Sequence, residues 1–171
     1  MATYATNQYT YGQPSGHGLG GTLKCWWGVY TISSALSAND LINLFKLPKN
    51  CLIVGGHMST TDIDTGTETL EIDIGFTANG GGAATLKTND GTTFTNNNSG
   101  SANAVGFIDS GVMNGDTIVD LLAGMNHRPV QGVKNGPMFF SEETVVQAKI
   151  TAAAAAGGTG TVFVALYGIM I

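Results

Sequence analysis

The run from Val145 to Ile171 constrains this chain most. It reads VVQAKITAAAAA, then GGTG, then TVFVALYGIMI. The spacing predicts two long β-strands joined by one tight turn, with Gly157, Gly158 and Gly160 supplying the positive φ that a short hairpin turn needs. The second strand stays apolar to Ile171 and has no polar tail. An exposed apolar edge templates aggregation, so this strand is expected inside a sheet. The fold is expected to close with these last residues and to have no detachable end.

The rest of the chain points the same way. TLKCWWGVYTI, from Thr22, is rich in aromatic and β-branched residues and reads as a strand. Leu23, Cys25, Trp27 and Val29 fall on one face, and Lys24, Trp26, Gly28 and Tyr30 on the other. One indole of the Trp26–Trp27 pair is therefore expected in the core. DLINLF suits either a short helix capped by Ser37 or Asn39, or a strand with Leu41, Asn43, Phe45 and Leu47 on one face. Pro48 and Asn50 then make a turn, which favours the strand. Gly55–Gly56 inside CLIVGGHMS suggests a bulge. Leu70, Ile72, Ile74 and Phe76 alternate with Thr69, Glu71, Asp73 and Gly75 after a turn at Asp64–Thr67. Residues 78–102 read as a polar loop or a weak hairpin around Asn89–Gly91. Short strands are expected at AVGFID, TIVDLLA, PVQGV and MFFS. About eight strands with Gly-rich turns indicate an all-β sandwich or jelly roll over residues 22–171. Residues 1–21 read as an extended N-terminal arm, with Tyr4, Tyr9 and Tyr11 as rigid anchors with polar tips.

Composition narrows the function. The 171 residues suit one domain with a proper core. Only 11% are charged, against about 25% in ordinary soluble domains. Few charges then need desolvation when two such surfaces meet, although a neutral soluble β-protein has the same composition. The net charge is −5, and the seven Lys and Arg are scattered without a basic stripe, so nucleic acid is not an expected partner. The N-terminus lacks a basic start followed by an apolar core, and no stretch reaches membrane-span length.

Chemistry-bearing constellations are sparse. Asp62, Asp64, Glu68, Glu71 and Asp73 concentrate acid, but without EF-hand spacing, and are expected on a solvated sheet face. His17, His57 and His127 are scattered, and no GxSxG elbow is present. The glycine clusters at 80–82 and 157–160 precede neither GK[ST] nor a helix. Cys25 and Cys51 lie in apolar runs and are expected as buried free thiols. No catalytic residue, metal site or cofactor is expected.

The segment FKLPKNCLIVGGHMSTTDIDTGTETLEIDIGF resembles small structural proteins of tailed bacteriophages, with their D-x-DTGT-x-TL-x-(I/V)D-(I/V)G-(W/F) hairpin. Asp62, Asp64 to Thr67, Thr69, Leu70, Asp73, Gly75 and Phe76 carry that motif here. FSEETVVQAKITAAAAAGGTGTVFVALYG is similar to the same group's strand–GGTGT–strand ending. Asn50 stands where the group often has Gly. The resemblance implies a jelly-roll head decoration (cement) protein on the outer surface of the capsid. It would form a homo-oligomer, a trimer, and bind the major capsid protein. Tyr4, Tyr9, Tyr11 and Trp26 would be its partner-binding residues. The alternative is a glycan- or receptor-binding module of a phage fibre, vertex or tail.

Overall fold

A computed structural model of the protein describes residues 1–6, 9–10, 23–67, 69–80, 85–87, 93–95, 101–108, 117–120 and 138–171. Among them are twelve strands: β1 (Thr3–Ala5), β2 (Lys24–Ile32), β3 (Leu41–Leu47), β4 (Cys51–Thr60), β5 (Glu71–Phe76), β6 (Thr85–Lys87), β7 (Thr93–Thr95), β8 (Asn103–Ile108), β9 (Thr117–Asp120), β10 (Met138–Phe140), β11 (Thr144–Ala152) and β12 (Gly160–Met170). One sheet has the order β1-β3-β11-β5-β8, and the other β10-β4-β12-β2 with β9 also on β4. β6 and β7 pair as the weak hairpin expected between residues 78 and 102. PVQGV lies outside the described residues.

The pairing follows a simple rule. β2 pairs β12, β3 pairs β11, β4 pairs β10 and β5 pairs β8, all antiparallel. The first half of the domain thus lies back along the second half in reverse order. This double strand is rolled into two sheets, which is the jelly-roll arrangement. DLINLF resolves as strand β3, because Asn39 takes φ 71° and Asp40 accepts from the Ser37 N–H at 3.0 Å, forming a turn rather than a helix start.

The roll overturns one expectation. The C-terminal run is not a hairpin. β11 pairs β3 and β5, whereas β12 pairs β4 and β2 in the opposite sheet. The connection is an arch that crosses the core. Gly157 and Gly158 do take positive φ, at 82° and 95°. The Asp62–Phe76 segment is likewise an arch, from β4 in one sheet to β5 in the other. A single strand pattern reports which face is buried and not which strand lies beside it, so hairpin and arch look alike in sequence.

Between the sheets, Ile42, Leu44, Ile72, Ile74, Val146 and Ile150 face Val162, Val164, Leu166 and Met58 in one core. Phe76 on β5, Phe107 on β8 and Phe140 on β10 join the sheets at one end, with ring centroids 5.1–6.1 Å apart. Each such pair contributes about 0.5–1.5 kcal/mol beyond area burial. Gly28 marks a close crossing of β2 over β3, where a Cβ would lie 2.7 Å from the Leu44 carbonyl oxygen. A bulge at Val54–Gly55 shifts the register of β4 on β12, near the expected Gly pair.

Candidate functional site

The two outer sheet surfaces differ in chemistry. On the β3-β11-β5 sheet the outward positions include Asn43, Lys46, Gln147, Lys149 and Glu71. Gln147 Nε2 donates to Asn43 Oδ1 at 2.7 Å, and Lys46 pairs with Glu143 at 2.9 Å. Lys149 stands opposite Asp73 in register. This is a polar, mixed-charge surface of the kind water solvates.

On the other sheet, β2, β4, β10 and β12 hold a single charged residue between them, Lys24 at the start of β2. Strand alternation turns Trp26, Gly28 and Ile32 inward, so Cys25, Trp27 and Val29 face out. On β12 the outward residues are Phe163, Ala165, Tyr167 and Ile169, and on β4 they are Leu52, Val54 and His57. Ala165 lies opposite Trp27 on one side and His57 on the other. This small residue lets the rings gather. The Trp27 and Phe163 centroids are 6.4 Å apart, His57 and Phe163 5.3 Å, and His57 and Tyr167 5.7 Å. The Tyr167 hydroxyl hydrogen-bonds His57 Nδ1 at 2.7 Å. Trp27 is 38% exposed and Val54 36%. A contiguous aromatic and aliphatic face, partly exposed and anchored on the central strands β4 and β12 and the edge strand β2, is suited to protein contact. In register, β9 places Asp120 opposite His57 at the margin of this face.

The residues expected to bind a partner are distributed differently. Trp26 is 8% exposed and sits in the core over Gly168, so it offers no free ring; its neighbour Trp27 is the exposed indole. The alternation correctly separated the two, but alternation alone does not say which face is inside. Tyr4 packs against Tyr30 at 5.7 Å, and Tyr9 lies 5.8 Å from the Lys46 ammonium. Tyr11 lies outside the described residues, as do His17 and His127. Phe163 and Tyr167 lie on one face of β12, and only the β4–β12 pairing brings His57 between them.

The arm begins inside the sandwich. Thr3–Ala5 pairs in parallel with Leu41–Asn43 as strand β1. The Ala2 N–H donates to Asp40 at 2.7 Å, and Thr6 Oγ1 donates to the Leu44 carbonyl. These backbone N–H groups, from Ala2 and then Ser37, hold the Asp40 carboxyl below its ordinary pKa.

Two further expectations are corrected. Cys25 is exposed on the aromatic face, while Cys51 is buried as expected. Partial desolvation raises the Cys25 thiol pKa, and burial pushes Cys51 up to about 12. The acidic cluster is not one solvated face: Asp64 is 4% exposed and Asp73 5%. Asp64 accepts the N–H groups of Thr69 at 2.7 Å, Leu70 at 3.1 Å, and Ala155 and Ala156 at 3.2 Å. The Gly158 N–H donates to the Ile63 carbonyl at 2.8 Å. The two resemblance motifs, far apart in sequence, therefore meet as one knot between the arches. Hydrogen bonds led by that of Thr69 hold the Asp64 carboxyl well below the usual range. Its oxygens are occupied by backbone, and among the described residues no group of three His, Cys, Asp or Glu is placed to hold a metal ion. No helix among the described residues is long and apolar enough to cross a membrane.

No protein-family model matches this chain, and no curated protein is similar to it. Solved structures are similar in fold. One chain of the cyanophage Pam1 capsid asymmetric unit superposes with a TM-score of 0.59 at 16% identity, over 93% of this chain and 92% of that one. One chain of the capsid of Ralstonia phage GP4 gives a TM-score of 0.59 at 20% identity, over 99% of both. At these identities the shared property is the fold, end to end.

Proposed function

We propose that this chain is a structural protein of a tailed-phage virion, a decoration (cement) protein that binds the assembled head from outside. The observation that carries the reading is the end-to-end fold likeness to chains of two phage capsids. The aromatic face, with few charged residues, agrees with it, since a cement protein works by burying surface. In this reading the chain forms a homo-oligomer, a trimer, and contacts the major capsid protein. Many copies then stabilise the assembled shell alone, because binding only the assembled state shifts the equilibrium toward it. Tyr9 and the rest of the arm would add contacts to neighbours.

The test is quantitative mass spectrometry of the purified particle that encodes this chain. A copy number comparable to the major capsid protein is expected. Absence from the particle would sink the reading.

One observation favours a second reading, a glycan- or receptor-binding module of a fibre, vertex or tail. Trp27, Phe163 and Tyr167 are aromatic rings of the kind on which sugar faces stack. The outward side chains around them offer few polar groups to hold sugar hydroxyls, which places this reading second. Binding on a glycan array, together with only a few copies per particle, would reverse the order.

A further inference from the structure

From the surroundings of Asp40, we propose that the peptide bond between Met1 and Ala2 is cleaved in the mature protein, and that Asp40 is the binding site for the α-ammonium group this frees on Ala2. The inference goes beyond the virion reading and does not depend on it.

Asp40 is 5% exposed, at the start of β3. One carboxylate oxygen accepts the Ala2 N–H at 2.7 Å and the other the Ser37 N–H at 3.0 Å. Both donors are neutral amides, and among the described residues no side-chain cation pairs with Asp40. A carboxylate has about four acceptor sites. Asp64, buried to the same degree, takes four backbone N–H groups, whereas Asp40 takes two. A buried carboxylate is costly unless its charge is paired or its hydrogen bonds are complete, so Asp40 is short of donors. The Ala2 nitrogen already touches it. As an amide this nitrogen has a single hydrogen to give; as an ammonium it gains further donors and a full positive charge. Its 2.7 Å separation is short for a neutral amide and ordinary for an ammonium on a carboxylate.

The clip that holds β1 begins at Ala2. The Leu41 N–H donates to the Ala2 carbonyl at 2.9 Å, Thr3–Ala5 pairs with Leu41–Asn43, and the Thr6 N–H donates to the Asn43 carbonyl at 2.9 Å. Met1 stands outside this clip, 90% exposed, and its loss removes none of these bonds. The Ala2 side chain is small and exposed, which suits removal of the methionine before it by an aminopeptidase. The step is a hydrolysis. Water adds its oxygen to the Met1 carbonyl carbon, the bond to the Ala2 nitrogen breaks, and methionine leaves as a carboxylate. The proton released goes to the Ala2 nitrogen, which becomes the ammonium bound by Asp40.

The full chain would be expressed in bacteria, purified, and analysed by intact-mass and N-terminal peptide mass spectrometry. Ala2 is expected as the first residue. Ala2→Gln places a bulky side chain at an exposed position; it is expected to keep Met1 and serves as the unprocessed reference. Asp40→Asn is then made in both backgrounds. In urea unfolding it is expected to raise the unfolding constant on the order of tenfold more in the Ala2 chain than in the Ala2→Gln chain, because a hydrogen bond from a charged donor is worth more than one from an amide. Acylation of the Ala2 α-amine at neutral pH is expected to speed several-fold in Asp40→Asn, since the carboxylate disfavours the neutral amine that reacts. Asp40→Ser, which keeps an acceptor oxygen, repeats both measurements should Asp40→Asn not fold. A mature chain that keeps Met1 overturns the inference. So does an equal cost of the Asp40 variants in the two backgrounds, or an α-amine whose reactivity ignores Asp40.

Discussion

At the scale of single residues, Asp64 does the most to close this fold. Four backbone N–H groups from both arches converge on its carboxylate. Its pKa in the folded state lies below the value of about 3.9 expected when unfolded. The ionised form therefore favours the folded state above that pH, and this contribution is lost as the pH falls below it toward the folded value. Asp64→Asn is expected to lower the thermal midpoint at neutral pH and to flatten its fall between about pH 4 and pH 2, the window set by that depressed pKa. Wild type and variant with parallel acid limbs would refute the assignment. Gly158 has φ 95°, and a Cβ there would lie 2.7 Å from Ala35 Cα. Gly158→Ala is expected to cost about 2 kcal/mol or more, through backbone strain plus the clash. An unchanged urea midpoint would contradict this. The need for glycine here was legible in GGTG. The role of Asp64 in joining the arches was not, because Ala155 and Ala156, two of its four backbone partners, lie 91 and 92 residues away and no side-chain pattern announces them.

At the scale of elements, local periodicity located β2, β3, β4, β5, β11 and β12, and it placed β12 correctly inside a sheet. It could not assign partners, which is why a predicted hairpin became an arch. β1 escaped notice, since three residues in a Gly-rich and Tyr-rich arm carry no alternation to read. It covers the edge of β3 and blunts an edge that could pair with other chains. Deleting Met1–Thr6 is expected to cost about 1–3 kcal/mol, the worth of a few net backbone hydrogen bonds, and to raise light scattering near the midpoint. Unchanged denaturation with no scattering would mean that β1 contributes nothing to the sheet.

At the scale of the whole molecule, the roll makes nearly every strand partner distant in sequence. Tyr30 pairs with Val162 and Phe45 with Val146. Such long loops must close before their contacts repay the entropy, so refolding is expected on the order of milliseconds to seconds. Stopped-flow tryptophan fluorescence checks this, with Trp26 reporting core formation. Full recovery within microseconds would be inconsistent with the topology. The same roll turns one sheet's polar side and the other sheet's aromatic side outward, giving the molecule two outer surfaces of different chemistry.

The sequence by itself determined the fold class, the alternating faces of the main strands, the turn glycines and the scarcity of charge. Each depends on residues within a few positions of one another. The tertiary structure alone decided which tryptophan is buried, that Cys25 is exposed, that the two arch motifs form a knot around Asp64, and that Trp27, Phe163, His57 and Tyr167 share one face. These depend on which distant strands become neighbours, and that choice is made by packing two sheets around a common core, not by any local preference.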